Sequence, residues 1–101
     1  MFKAMIILKR SPDLSFEAFK SHWTDVHAPL VKTLPGLQKA VFNMHSGEGD
    51  GEIDAISELW FESEQAFESA YSSETGQKVA ADSLAKVCRR ERFIATEILV
   101  L

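Results

Sequence analysis

His27 follows Trp23 by four residues on an apolar stripe, a spacing that turns an imidazole inward between a helix and whatever that helix packs on. There desolvation can move its pKa across neutrality, which a proton-transfer catalyst needs. The same position suits a histidine that packs while its ring nitrogens bond nearby backbone, so spacing alone leaves both fates open. Glu58 is the second candidate. Alternation along 54–61 puts Asp54, Ile56, Glu58 and Trp60 on one face of a strand and Ala55, Ser57, Leu59 and Phe61 on the other. A carboxylate in the middle of a sheet must be paired, protonated or solvated by a pocket. A cation on a neighbouring strand or across an interface would satisfy Glu58, and a functional site would do so equally. Asn43 and Tyr71 can offer hydrogen bonds to the same space, Asp54 a carboxylate nearer a loop, and Trp23 and Trp60 an apolar grip on a ligand.

The remaining reactive residues read as structural. His22 is expected to pair with Asp25 on the helix surface, and His45 to end a strand exposed to solvent. Five residues separate His22 from His27, which sets them on different sides of an α-helix, so no chelating pair and no metal are expected. Cys88 is a lone cysteine outside any CxxC pattern and is expected to be inert. The loop Gly47-Glu48-Gly49-Asp50-Gly51 has the glycines of a phosphate loop, but its carboxylates would repel phosphate, so it reads as a hairpin loop.

The elements that must hold these residues follow from periodicity. Residues 2–9 are nearly continuously apolar and stop at Ser11-Pro12-Asp13, as a central strand does. Ser15 is a helix N-cap with Glu17 in the first turn, and Phe16, Phe19, Trp23, Val26, His27 and Leu30 form the stripe. Pro29 biases Ala28 away from the α region, so a kink or restart is expected there. Strands are expected at 37–45 and 54–61, a short helix from the Ser63 cap, a break near Ser72-Ser73, a second helical piece and a last strand over 93–101. The order β-α-β-β-α-β is the split βαβ arrangement, an α+β ferredoxin-like fold with helices on one face of a four-stranded antiparallel sheet. All strands carry apolar residues at both parities, so the other face also needs cover, and a second copy of the chain is the simplest cover.

Length and composition narrow the partners. The 101 residues suffice for a single domain over 1–101. Net charge is −4, and Cys88-Arg89-Arg90-Glu91-Arg92 is the only basic cluster, interrupted by an acid and read as a solvated turn. Phosphate recognition draws on a clustered cationic face, so no nucleic-acid partner is expected. No apolar run approaches a membrane span, the first strand is too short for a signal segment, and nothing calls for an oxidising compartment, so a cytoplasmic protein without membrane contact is expected.

Two segments carry a resemblance over nearly the whole chain. Lys9-Arg10-Ser11-Pro12-Asp13-Leu14-Ser15-Phe16-Glu17-Ala18-Phe19, the step Trp23-x-x-x-His27-x-Pro29 and the turn Leu34-Pro35-Gly36-Leu37 resemble the EthD family. So does Asp54-Ala55-Ile56-Ser57-Glu58-Leu59-Trp60-Phe61-Glu62-Ser63 with the Phe- and Ala-rich helix after it. The resemblance implies a dimeric α+β barrel with a pocket between helices and sheet, His27 as the family histidine, and Asp54, Glu58 and Trp60 as its acidic, aromatic third strand. It implies work on small organic compounds, in a family with ether-degradation proteins and methylmuconolactone isomerases. The wider superfamily adds cofactor-free oxygenases, polyketide cyclases and haem proteins. Leu59 and Ala40 replace the thiol and phenol of the methylmuconolactone isomerases, which sets that reaction apart. The expectation is a homodimer that binds a small hydrophobic carbonyl or lactone without a cofactor. In a catalytic pocket His27 would move the proton while Glu58 or Asn43 steadies the enolate; a non-catalytic binding protein or an oxygenase is the alternative.

Overall fold

A computed structural model describes residues 1–47 and 51–101. Four strands, β1 (Phe2–Arg10), β2 (Lys39–Met44), β3 (Ala55–Phe61) and β4 (Val87–Ala95), form one antiparallel sheet in the order β2-β3-β1-β4. Helix α1 (Phe16–His22) runs through a π-helical turn at Trp23–His27 into α2 (Ala28–Val31), while α3 (Glu64–Ser72) and α4 (Glu74–Leu84) join β3 to β4. Three serines set the helix starts. The Oγ atoms of Ser15, Ser63 and Ser73 accept from the backbone N–H groups of Ala18, Ala66 and Gly76, as N-caps do.

Register decides what each face of the sheet carries. Ala4, Ile6 and Leu8 of β1 lie beside Leu59, Ser57 and Ala55 of β3 and point to the helices. Ala40, Phe42 and Met44 share that side, as do Arg90, Arg92 and Ile94. Phe19, Trp23, Val31, Phe67, Ala70 and Val79 close the core over them. The opposite face holds Lys3, Met5, Ile7, Val41, Ile56 and Phe93, with Glu58 and Trp60 among them.

Several expectations are corrected. A new helical segment, α2, does start at Ala28 with Pro29 in its first turn, but Ala28 is not pushed out of the α region. Pro29 has no N–H for the carbonyl four residues back, and Ala28 instead bonds the Trp23 carbonyl five residues back while keeping α dihedrals. Val26 leaves the stripe and is 45% exposed, because the wider turn rotates it outward. The run Cys88–Arg92 is not a turn but the start of β4, since Ser11 N–H bonds the Lys86 carbonyl and holds this chain against β1. The last strand ends at Ala95, and Ile98 to Leu101 continue without sheet pairing, each at least 82% exposed. The hairpin loop read at Gly47–Gly51 falls partly on Glu48, Gly49 and Asp50, outside the described residues.

Candidate functional site

The core stack Phe19, Trp23, His27 and Phe42 brings four rings into succession, with centroids 4.6, 4.3 and 5.9 Å apart. His27 is 5% exposed and Trp23 1%. The Nδ1 atom of His27 lies 2.8 Å from Asp82 Oδ2, and His22 Nε2 lies 2.9 Å from the same oxygen. An ionised carboxylate only accepts, so both imidazoles donate to it. In the neutral His27 ring the proton is therefore on Nδ1, and Nε2 is left with a lone pair.

The π-turn makes this arrangement possible. An α-helix, at about 100° per residue, sets residues five apart on different sides. A bond from N–H to the carbonyl five residues back stacks such residues instead. His22 and His27 thus reach one carboxylate on α4, and the expected His22–Asp25 surface pair gives way to His22–Asp82.

Burial lowers the pKa of His27 and outweighs the raising effect of Asp82, while His22 and Arg90 add to the lowering. Burial alone would raise Asp82, but the hydrogen bonds of His27 and His22 hold it below the ordinary carboxylate value. The pair thus rests as a neutral imidazole and an anion. Both groups have folded pKa values below their unfolded ones, so each contributes stability that is present above its unfolded pKa and lost as pH falls. The urea midpoint should drop between pH 7.5 and 5.5 through His27, whose ordinary value is 6.5, and again below the ordinary 3.8 of Asp82. In His27→Gln the first drop should shrink; a midpoint equally pH-dependent in both proteins would contradict this pairing.

A cavity of about 10 Å³, close to the room one water needs, lies among Ile6, Trp23, His27, Phe42, Ser57 and Tyr71. Ser83 and Arg90 complete its polar lining. Burial raises the Tyr71 phenol, and Arg90, hydrogen-bonded to it, acts in the opposite sense. Val31 and Phe42 also wall a groove of about 340 Å³ that opens between α2 and β2. Phe42 and Val31 line both this groove and the cavity beside the buried imidazole. A porphyrin does not fit a cavity of this size without parting the core, so no step is routed through haem.

Trp23 and Tyr71 therefore stand with His27, but four expected site residues do not. Glu58 and Trp60 are on the far side of the sheet, because their parity in β3 is opposite to that of Ser57. Glu58 pairs with Lys3 Nζ at 2.5 Å and accepts from Asn43 Nδ2 at 2.8 Å; these two hydrogen bonds hold its carboxyl low, and the first of them raises the Lys3 ammonium. Asn43 is exposed beside it, so neither can steady an enolate formed at His27. Trp60 donates to Glu97 at 2.5 Å and takes the ammonium groups of Lys3 and Lys39 on its ring. Asp54, fully buried, accepts from Arg10 N at 2.8 Å and pairs with Arg10 Nη1 at 2.5 Å and with Lys9, a clamp at the end of β1. His45 is exposed and accepts from the Gly47 N–H.

Asp82, Ser57, Ser83 and Arg90 were not singled out by sequence. Asp82 follows the core residue Val79 by three positions and precedes the buried Ser83, so a carboxylate on the packed face of α4 was a signal available in the pattern.

The sequence profile of the EthD domain matches residues 11–87. The chain belongs to the EthD family. An uncharacterised 11.0 kDa protein from the thcB-thcC intergenic region of Rhodococcus erythropolis is 31% identical over 84 residues, covering 81% of this chain and 80% of the relative. An EthD family protein of Bacillus halodurans has the same fold with a TM-score of 0.81 at 22% identity, over 97% of this chain and 100% of that one. SnoaB, a cofactor-independent oxygenase of Streptomyces nogalater, superposes with a TM-score of 0.74 at 14% identity, over 99% of this chain and 95% of that one. A dimeric ferredoxin-like protein of Thermobifida fusca does so at 0.75 with 12% identity, over 95% of this chain and 90% of that one.

Proposed function

We propose that this EthD protein is a proton-transfer catalyst of the isomerase or lyase type, acting on a small hydrophobic carbonyl or lactone compound. The observation that carries it is the 2.8 Å contact between Asp82 and His27 Nδ1, which fixes Nε2 as the free base of a buried ring on a cavity. The substrate enters through the groove between α2 and β2 and displaces the Phe42 ring. His27 Nε2 takes a proton from carbon next to the carbonyl; the C–H pair moves to the carbonyl oxygen as an enolate, and the imidazolium is held by the Asp82 anion. Return of the proton at another carbon completes an isomerisation without an external electron acceptor or donor. This chemistry needs no cofactor.

The test uses enolisable ketones and lactones in deuterated buffer, with exchange followed by NMR. Wild-type protein should accelerate exchange of at least one of them, and His27→Gln should lose on the order of 10²- to 10⁴-fold of that rate. Ligand binding without any exchange, unchanged in His27→Gln, would instead leave a binding protein.

The working unit in this reading is a homodimer whose sheets cover each other's open faces. Met5, Ile7, Val41 and Ile56 line that face, Phe93 is 57% exposed on it, and Ile98 to Leu101 project beyond β4. Burying each such side chain is worth about 1.5–3 kcal/mol, and water is a poor neighbour for all of them at once. Sedimentation equilibrium should give twice the chain mass at micromolar concentration. Truncation after Glu97 should weaken the dimer by at least about tenfold, a loss of about 1.4 kcal/mol; a truncated chain that dimerises as tightly as the whole one would exclude the segment from the interface.

A further inference from the structure

Three buried side-chain atoms have no hydrogen-bond partner among the described residues: Trp23 Nε1, Ser57 Oγ and Arg90 Nε. All three belong to residues that line the cavity beside His27. Two of them can only donate, and the third is a hydroxyl that can. Trp23 is 1% exposed and Ser57 4%, so bulk solvent does not satisfy them. Natural interiors leave few such atoms, and each costs about 1–3 kcal/mol when unpaired. Arg90 adds a charge to this imbalance. Its side chain is half-buried on the helix face of the sheet, while Lys3 holds Glu58 of the neighbouring strand β3 and Arg89 holds Glu91 of its own strand. Tyr71, its hydrogen-bond partner, is neutral at physiological pH.

From this set we infer that the cavity is an oxyanion site. It takes a carboxylate, or the enolate or phenolate oxygen of an apolar ring compound, with the oxygen accepting from Trp23, Ser57 and Arg90. The ring itself lies past Phe42 in the groove walled by Val31, Leu37 and Ala40. The inference rests on the proton-transfer reading only for where the ligand binds, and it assigns the role once expected of Glu58 or Asn43. Donors placed where negative charge develops are the strongest aid to enolate formation. A neutral His27 beside a cationic Arg90 completes a base and an anion hole within one cavity.

The test probe is benzoate, set against its neutral isostere benzamide. Backbone and indole ¹⁵N–¹H spectra report the site, with Trp60→Phe identifying the Trp23 indole signal. Benzoate should bind at least tenfold more tightly than benzamide, and should shift the Trp23 indole proton. In Arg90→Gln the preference should fall below twofold, and in Arg90→Lys it should partly return. Ser57→Ala, a smaller change in a buried site, should weaken benzoate while preserving the dispersed spectrum of a folded chain. Equal affinity for the two probes, a preference intact in Arg90→Gln, or benzoate binding without a Trp23 shift would overturn the oxyanion site. The two readings fail separately. A benzoate preference in a wild-type protein that catalyses no exchange sinks the proton-transfer reading alone; exchange in a wild-type protein that shows no preference sinks this inference alone.

Discussion

An Asp82→Asn variant should lose on the order of 10²- to 10⁴-fold of its proton-exchange rate while remaining folded. The amide has the shape of the carboxylate but can donate as well as accept. His27 Nδ1 is then no longer required to hold the proton, and a ring protonated on Nε2 offers the cavity no lone pair. The imidazolium formed during transfer also loses the anion 2.8 Å away. His22→Gln is the informative partner variant, because it removes one of two donors to Asp82 and leaves the His27 contact in place. Its effect should stay within about threefold, since the lost hydrogen bond falls on Asp82 rather than on the base and the His27 contact keeps Asp82 in place. Long-range ¹⁵N–¹H spectra of the imidazole read the tautomer directly. If Asp82→Asn keeps both the Nδ1–H tautomer and the full rate, Asp82 only packs, and the dyad plays no part in catalysis.

Gly76→Ala should cost at least about 3 kcal/mol, beyond the usual range for an added methyl. A Cβ built at Gly76 would sit 2.1 Å from the Ala70 carbonyl oxygen, 2.5 Å from Tyr71 Cα and 2.8 Å from Tyr71 C. These are backbone atoms, so no rotamer change relieves the overlap. Helices α3 and α4 would have to part at the Ser73 cap, and the same movement draws Tyr71 from the cavity and Asp82 from His27. The urea midpoint should fall well below that of Gly51→Ala, where an added Cβ meets nothing within 4 Å and a change within about 0.5 kcal/mol is expected. Equal midpoints for the two variants would show that the helix junction yields without strain.

Fold and family were legible because they rest on patterns short enough to read along the chain. Ser15 and Ser63 each precede a first helical turn, residues 2–9 run apolar up to Ser11-Pro12-Asp13, and the Trp23–His27–Pro29 step sits before Leu34-Pro35-Gly36. The inward position of His27 followed from its distance to Trp23. Strand boundaries were less legible: the basic residues of 88–92 read as a turn because charge suggested solvent, whereas alternate residues of an edge strand can reach solvent while others point inward.

The residue types, the caps and the period of each element were set by the sequence itself, since those depend on neighbours within a turn. The tertiary structure decided which of them meet. Parity placed Glu58 and Trp60 on one face of β3, but only the pairing with β1 and β2 showed that the helices cover the other. Pro29 signalled a disturbed helix, but whether the chain would break or widen depended on whether Trp23 could stay packed while the extra residue was absorbed. The π-turn that resulted gave His22 and His27 one shared partner, 60 and 55 residues away. Asp82, Ser57 and Arg90 come from α4, β3 and β4, and no local pattern links them. Tertiary packing brings Ser57 and Arg90 to the cavity beside His27 and sets Asp82 against that ring.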